Sequence, residues 1–125
     1  MIDKILSELR GIANAISVLS QIKTLDNYRD TLLSLNSMKA RVNELKPDIQ
    51  FFYDEQLAIE TENIMKEYKD NIKGNASYIK AIIAGKMKSE QRVLNFADRI
   101  NSSIDLISKN MITIISSLKA EMNNH

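Results

Sequence analysis

Apolar residues recur at helical spacing along most of the chain, and this pattern predicts an all-α fold. Steps of three and four residues alternate through the N-terminal part, which places its apolar positions on one helix face. The steps shorten near residues 23–26, where Thr24 and Asp26 are good N-cap residues, so we expect either a break there or one bent helix. The first two stripes consist of Ile2, Ile5, Leu9, Ile12, Ile16 and Leu19, and of Tyr28, Leu32, Leu35, Met38, Val42 and Leu45.

Pro47 is the clearest interruption of this pattern. Proline disfavours helical backbone at the preceding residue and suits the first position of a new helix. We therefore predict that one helix ends at residue 45 and that the next spans 48–73. Gly74-Asn75 then fits a left-handed C-cap, and nearby lysines complement the negative end of the helix dipole.

The C-terminal stretch has the most regular pattern, with apolar steps of 4, 3, 4, 3, 4, 3 and 4 from residue 93 to residue 118. This heptad seam predicts one long helix. A break near residues 85–89, around Gly85, is favoured over the alternative of one continuous helix from 76 to 122. The apolar face is wider than a two-stranded coiled coil needs, which favours a bundle or an oligomer. The seam residues are Val93, Ala97, Ile100, Ile104, Ile107, Met111, Ile114 and Leu118.

Together these elements predict a single helical domain over residues 1–125, folded as an antiparallel bundle of four to five helices. The long heptad helix would pack against the N-terminal stripe of the same chain or against a second copy. Because a thin monomer would bury both wide faces with difficulty, we expect an elongated homodimer. Its candidate self-association seam is Ile100, Ile104, Ile107, Met111, Ile114 and Leu118. The predicted helices span 2–22, 25–45, 48–73, 76–87 and 90–122.

The composition argues against most enzyme classes. The 125 residues include no cysteine, three glycines and one histidine, which is His125. Thiolate metal sites, cysteine nucleophiles, histidine acid–base pairs and glycine-rich phosphate loops are thereby excluded from the sequence given. The carboxylates between residues 47 and 65 have neither the histidines of a di-iron site nor the glycine-centred spacing of a calcium loop. We expect no enzymatic activity, no metal and no cofactor.

Two charged stretches are candidate interaction surfaces. The acidic one is a docking candidate for a basic partner, although a solvated helix face is the simpler interpretation. The basic one carries a local charge of 7 − 3 = +4, with Tyr68 and Tyr78 interleaved as in single-strand nucleic-acid binders. The acidic residues are Asp54, Glu55, Glu60 and Glu62, and the basic residues are Lys66, Lys69, Lys73, Lys80, Lys86, Lys88 and Arg92.

The function that these patterns favour is a non-enzymatic protein–protein interaction module, an adaptor, inhibitor or small chaperone that presents helix faces. The alternative is nucleic-acid binding through residues 66–92, against which the net charge of +1 weighs. The sequence contains no secretory signal and no apolar run long enough to span a membrane, so we expect a cytoplasmic protein. Small, cysteine-free helical chains of this composition are common among bacterial and bacteriophage accessory proteins.

Overall fold

The computed structural model describes residues 2–21, 25–67 and 76–123. Over these residues the chain forms four α-helices and no β-strand, which confirms the all-α class. The helices are α1 (Ile2–Leu19), α2 (Leu25–Glu67), α3 (Ala76–Lys86) and α4 (Lys88–Asn123).

The predicted helix boundary at Pro47 is wrong, because α2 continues through this proline. The apolar spacing explains the continuity: Leu45, Ile49 and Phe52 keep the alternation of three and four residues across Pro47, and the first two are buried. A proline inside a helix costs about 3 kcal/mol. Each buried leucine or isoleucine contributes about 1.5–3 kcal/mol, so the packed stripe outweighs the proline, whose ring lies on the exposed side.

The break expected near residues 85–89 is confirmed, and it is small. α3 ends at Lys86 and α4 begins at Lys88, with Met87 forming a turn between them. The Met87 amide still donates a hydrogen bond to the Ile83 carbonyl (3.0 Å), and the Gln91 amide donates one to the Met87 carbonyl (2.9 Å). The buried Met87 side chain fixes this joint, so α4 follows α3 almost without interruption.

Two other predicted boundaries fall largely outside the described residues. The break near 23–26 overlaps residues 22–24. The predicted helix over 2–22 is too long, because α1 ends at Leu19 and residues 20–21 form a turn. The C-terminal end of the helix predicted over 48–73, with its glycine cap, lies within residues 68–75.

Cross-helix contacts define how the helices pack. α2 and α4 run antiparallel, since Lys46 pairs with Asp98 and the earlier Lys39 pairs with the later Asp105. α1 lies antiparallel to α2, because Glu8 contacts Arg41 while residues near the start of α1 lie beside Phe51 and Phe52. α3 packs against the C-terminal part of α2. The middle of the molecule is therefore a three-helix bundle, and the α2–α4 pair extends beyond α1.

The main core lies where the stripes of α1, α2 and α4 meet. Ile104, which is 1% exposed, lies in this core and belongs to the heptad seam of α4. The C-terminal half of α1 lies beside α4 residues 96–103, whereas the last turns of α4 lie beside the first turns of α2. The buried residues of this core are Ile5, Leu9, Ile16, Tyr28, Leu35, Val42, Leu45, Ile49, Val93, Ala97, Ile100, Ile104 and Met111.

Candidate interaction site

One side of the α2–α4 pair carries a ladder of polar contacts between the two helices. The Lys46 ammonium lies 2.7 Å from an Asp98 carboxylate oxygen. The Asn101 amide donates a hydrogen bond to the Asn43 side-chain oxygen at 2.9 Å. Lys39 forms an ion pair with Asp105. We call these three contacts the polar ladder. Two of them pair opposite charges and one is an amide hydrogen bond, so the polar groups in the middle of this side are bonded to each other.

One heptad beyond the last ion pair, the side chains become apolar. The position seven residues before Lys39 is Leu32, and the position seven residues after Asp105 is Ile112. An open groove of about 670 Å³ follows between the first turns of α2 and the last turns of α4. We call it the terminal groove, and its lining residues are Arg29, Leu32, Leu33, Ile112, Ile115, Ser116 and Lys119.

The floor of the terminal groove is accessible to a partner. Leu32 and Ile115 are half-buried and pack against the edge of the core. Leu33 is 63% exposed and Ile112 is 55% exposed, so much of each side chain contacts solvent. Large apolar side chains that remain accessible next to each other are typical of a binding surface.

The walls of the terminal groove are basic. Arg29 belongs to α2 and Lys119 to α4, so each helix contributes one cation. Neither forms an ion pair with any residue in the described part of the chain. The groove therefore combines an apolar floor with two cations that no carboxylate of the described residues neutralises.

The structure brings the predicted acidic and basic stretches together instead of presenting them separately. The Lys86 ammonium of α3 lies 3.5 Å from Glu60 of α2. Lys66 lies 3.2 Å from Glu62, one turn away on the same helix. These two ion pairs reduce the charge that either stretch offers to an external partner. Asp54, also in the acidic set, accepts a hydrogen bond from the Gln50 amide at 2.9 Å.

The remaining members of the two charged stretches do not converge on one described site. Glu55 is exposed on α2. Lys69 and Lys73 lie outside the described residues, as does Tyr68. Lys80 is exposed on α3, and two further cations are exposed at the start of α4. The latter are Lys88 and Arg92.

The candidate self-association seam divides into a covered and an open part. Ile100, Ile104 and Met111 are buried by helices of the same chain. Ile107 and Leu118 are partly buried, whereas Ile114 is 41% exposed. The open part lies toward the C-terminal end of α4, as the terminal groove does.

Arg41 forms the most elaborate ion pair of the molecule's described residues. Its guanidinium binds both carboxylate oxygens of Glu8, one of them through Nη2 at 3.0 Å, and also contacts Glu44 at 3.1 Å. Hydrogen bonding from Arg41 lowers the pKa of Glu8 below its ordinary value, and the two carboxylates raise the pKa of Arg41. This contact joins α1 to α2.

The groove residues were absent from the site residues predicted from the sequence. Ile112 and Ile115 are visible there as part of an overly wide apolar face. In the sequence, Arg29 and Lys119 are two cations 90 residues apart, and only the packing of α2 against α4 brings them to one groove. The seven-residue step from Lys39 to Leu32, at which the side chain changes from charged to apolar, is visible in the sequence. It points to the groove only once α2 and α4 are known to pack together.

Comparison of the chain with models of protein families, with curated proteins and with solved structures gives no match. The described residues contain no cluster of three or more histidine, cysteine, aspartate or glutamate side chains suited to a metal ion. Among the described helices, none combines the length and apolarity that a membrane crossing requires. Fold and site thus define a helical protein with an apolar, basic-walled groove at one end.

Proposed function

We propose that this protein is a non-enzymatic protein–protein interaction module that receives a helix of its partner in the terminal groove. The observation that carries this proposal is the change from polar to apolar side chains along one side of the α2–α4 pair. The polar ladder closes the middle, whereas Leu33 and Ile112 leave an open apolar floor at the end. An adaptor, an inhibitor and a small chaperone all act through such a surface.

The shape of the groove favours a helix as the bound element. The groove runs between two antiparallel helices, and an amphipathic helix fills such a groove with residues at positions i, i+3, i+4 and i+7. α1 already packs against the same two helices in this manner in the middle of the molecule. A partner helix in the terminal groove would pack in a similar way on the other side of the α2–α4 pair, the side that carries the polar ladder.

The elongated homodimer stays a prediction within this proposal. Because Ile100, Ile104 and Met111 are covered by the same chain, a second copy would need other apolar residues. Ile114 and Leu106 are exposed on α4 outside the lining of the terminal groove, so they are candidates for such a contact.

The proposed function is tested with a designed peptide of about 20 residues, long enough to form a helix in a groove. The peptide carries leucines at helical spacing and a fluorophore, and its binding is followed by fluorescence anisotropy. We expect Leu33→Gln/Ile112→Gln to weaken binding at least tenfold, since both side chains form the groove floor. Ile59→Gln is the matched control, because Ile59 is an exposed apolar residue of α2 outside the groove. Equal loss of binding in both variants would contradict the proposal.

A further inference from the structure

We infer that the partner helix of the terminal groove is acidic along the edges of its apolar stripe. This inference rests on the proposed function and specifies the chemistry of the partner. Its basis is charge complementarity between the groove walls and the bound helix.

The polar ladder provides the comparison on which the inference depends. There, α2 supplies the cation and α4 supplies the anion at each ion pair, as in Lys46–Asp98 and Lys39–Asp105. In the terminal groove the same two helices supply Arg29 and Lys119, a cation on each side. The two walls cannot neutralise each other, and no carboxylate of the described residues pairs with either cation, so a bound helix can supply the complementary anions.

The same charges disfavour a second copy of this chain in the groove. A symmetric groove-to-groove contact would bring two copies of Arg29 and two of Lys119 to one interface. Like charges at an interface oppose association, more strongly when water is excluded from between them. A helix with glutamates or aspartates beside its apolar stripe would instead be attracted by the same cations.

The test exchanges charges between groove and peptide. Two designed peptides share one leucine stripe and differ only in the residues flanking it, which are glutamates in the acidic peptide and lysines in the basic peptide. Each is titrated into the wild-type protein and into Arg29→Glu/Lys119→Glu. Lys80→Glu/Lys88→Glu is the matched control, because it changes the net charge equally with exposed lysines outside the groove.

We expect the wild-type protein to bind the acidic peptide about tenfold more tightly than the basic one, with the preference reversed in Arg29→Glu/Lys119→Glu. The control variant should keep the wild-type preference. If Leu33→Gln/Ile112→Gln weakens the binding of both peptides but the charge exchange changes no preference, the acidic partner is refuted and the proposed function stands.

Two further outcomes would overturn the inference. If neither peptide binds the wild-type protein, both the inference and the proposed function fail. If Leu33→Gln/Ile112→Gln converts a dimer to a monomer in light scattering, the groove is the contact between two copies.

Discussion

The contact between Glu8 and Arg41 shows how one pair of residues orients a helix at the surface. Arg41 binds both carboxylate oxygens of Glu8 and thereby links one turn of α1 to one turn of α2. Both side chains are more than a third exposed, so their contribution to stability is small compared with that of the core. The presence of this contact can be measured through the ionisation of Glu8.

Replacing Arg41 with glutamine should raise the pKa of Glu8 to its ordinary range, because the hydrogen bonds from Arg41 are the largest cause of its lowering. A lowered folded-state pKa contributes stability above the unfolded-state value of about 4.3, and this contribution is lost as the pH falls through the folded-state pKa. NMR titration of the Glu8 carboxyl carbon measures the shift, and Lys80→Gln is the control. An unchanged Glu8 pKa in Arg41→Gln would mean that the contact is absent in solution.

Neighbouring positions on α4 separate the core from the surface. Ile104→Asp places a charge at a site that is 1% exposed, and it should destabilise the protein by about 3–5 kcal/mol. Asp105→Ala removes an exposed ion pair with Lys39 and should cost about 0.5 kcal/mol. Urea denaturation gives both values, and similar losses would show that the heptad phase of α4 is misassigned.

At the scale of elements, α2 marks the limit of prediction from sequence. The sequence shows both Pro47 and the apolar positions on either side of it. Sequence spacing alone does not tell how much stability the apolar stripe of α2 gains by packing against α1 and α4. Tertiary packing decides the outcome, since Leu45 and Ile49 are buried in a core that local sequence does not show. The seam of α4 was predictable because its heptad spacing is regular and contains no proline or glycine.

Pro47→Ala tests the continuity of α2. In a continuous helix, alanine supplies the amide that proline lacks and relieves the clash with the preceding turn, so the protein should gain about 1–3 kcal/mol of stability. At the first position of a separate helix the missing amide has no helical partner, and alanine would bring no such gain. Chemical denaturation of the wild-type protein and the variant distinguishes these two cases, and an unchanged or lower stability would contradict the continuous helix.

At the scale of the whole molecule, the width of the α4 apolar face has two explanations. The sequence pattern indicates a bundle or an oligomer and does not distinguish them. The structure covers much of this face with α1 and α2, while the terminal groove remains open. That groove depends on which turns of α2 and α4 lie side by side, so its basic walls could not be assembled from the sequence alone.

The predicted homodimer is tested by light scattering coupled to size-exclusion chromatography in moderate salt. A mass near twice 14.2 kDa is the expected result, with Ile114→Gln shifting the mass toward that of one chain. A mass near 14.2 kDa over the accessible concentration range would contradict the dimer. It would leave the terminal groove open for the partner helix that we propose.

The most direct test of the central claim is a methyl NMR titration of the full chain with the acidic peptide. Helix binding in the terminal groove predicts that the largest shifts occur at the methyl groups of Leu32, Leu33, Ile112 and Ile115, with little change at Ile59 and Ile79 on α2 and α3. Shifts concentrated near α3 would place binding at the opposite end of α2. That result would contradict the terminal groove as the interaction surface.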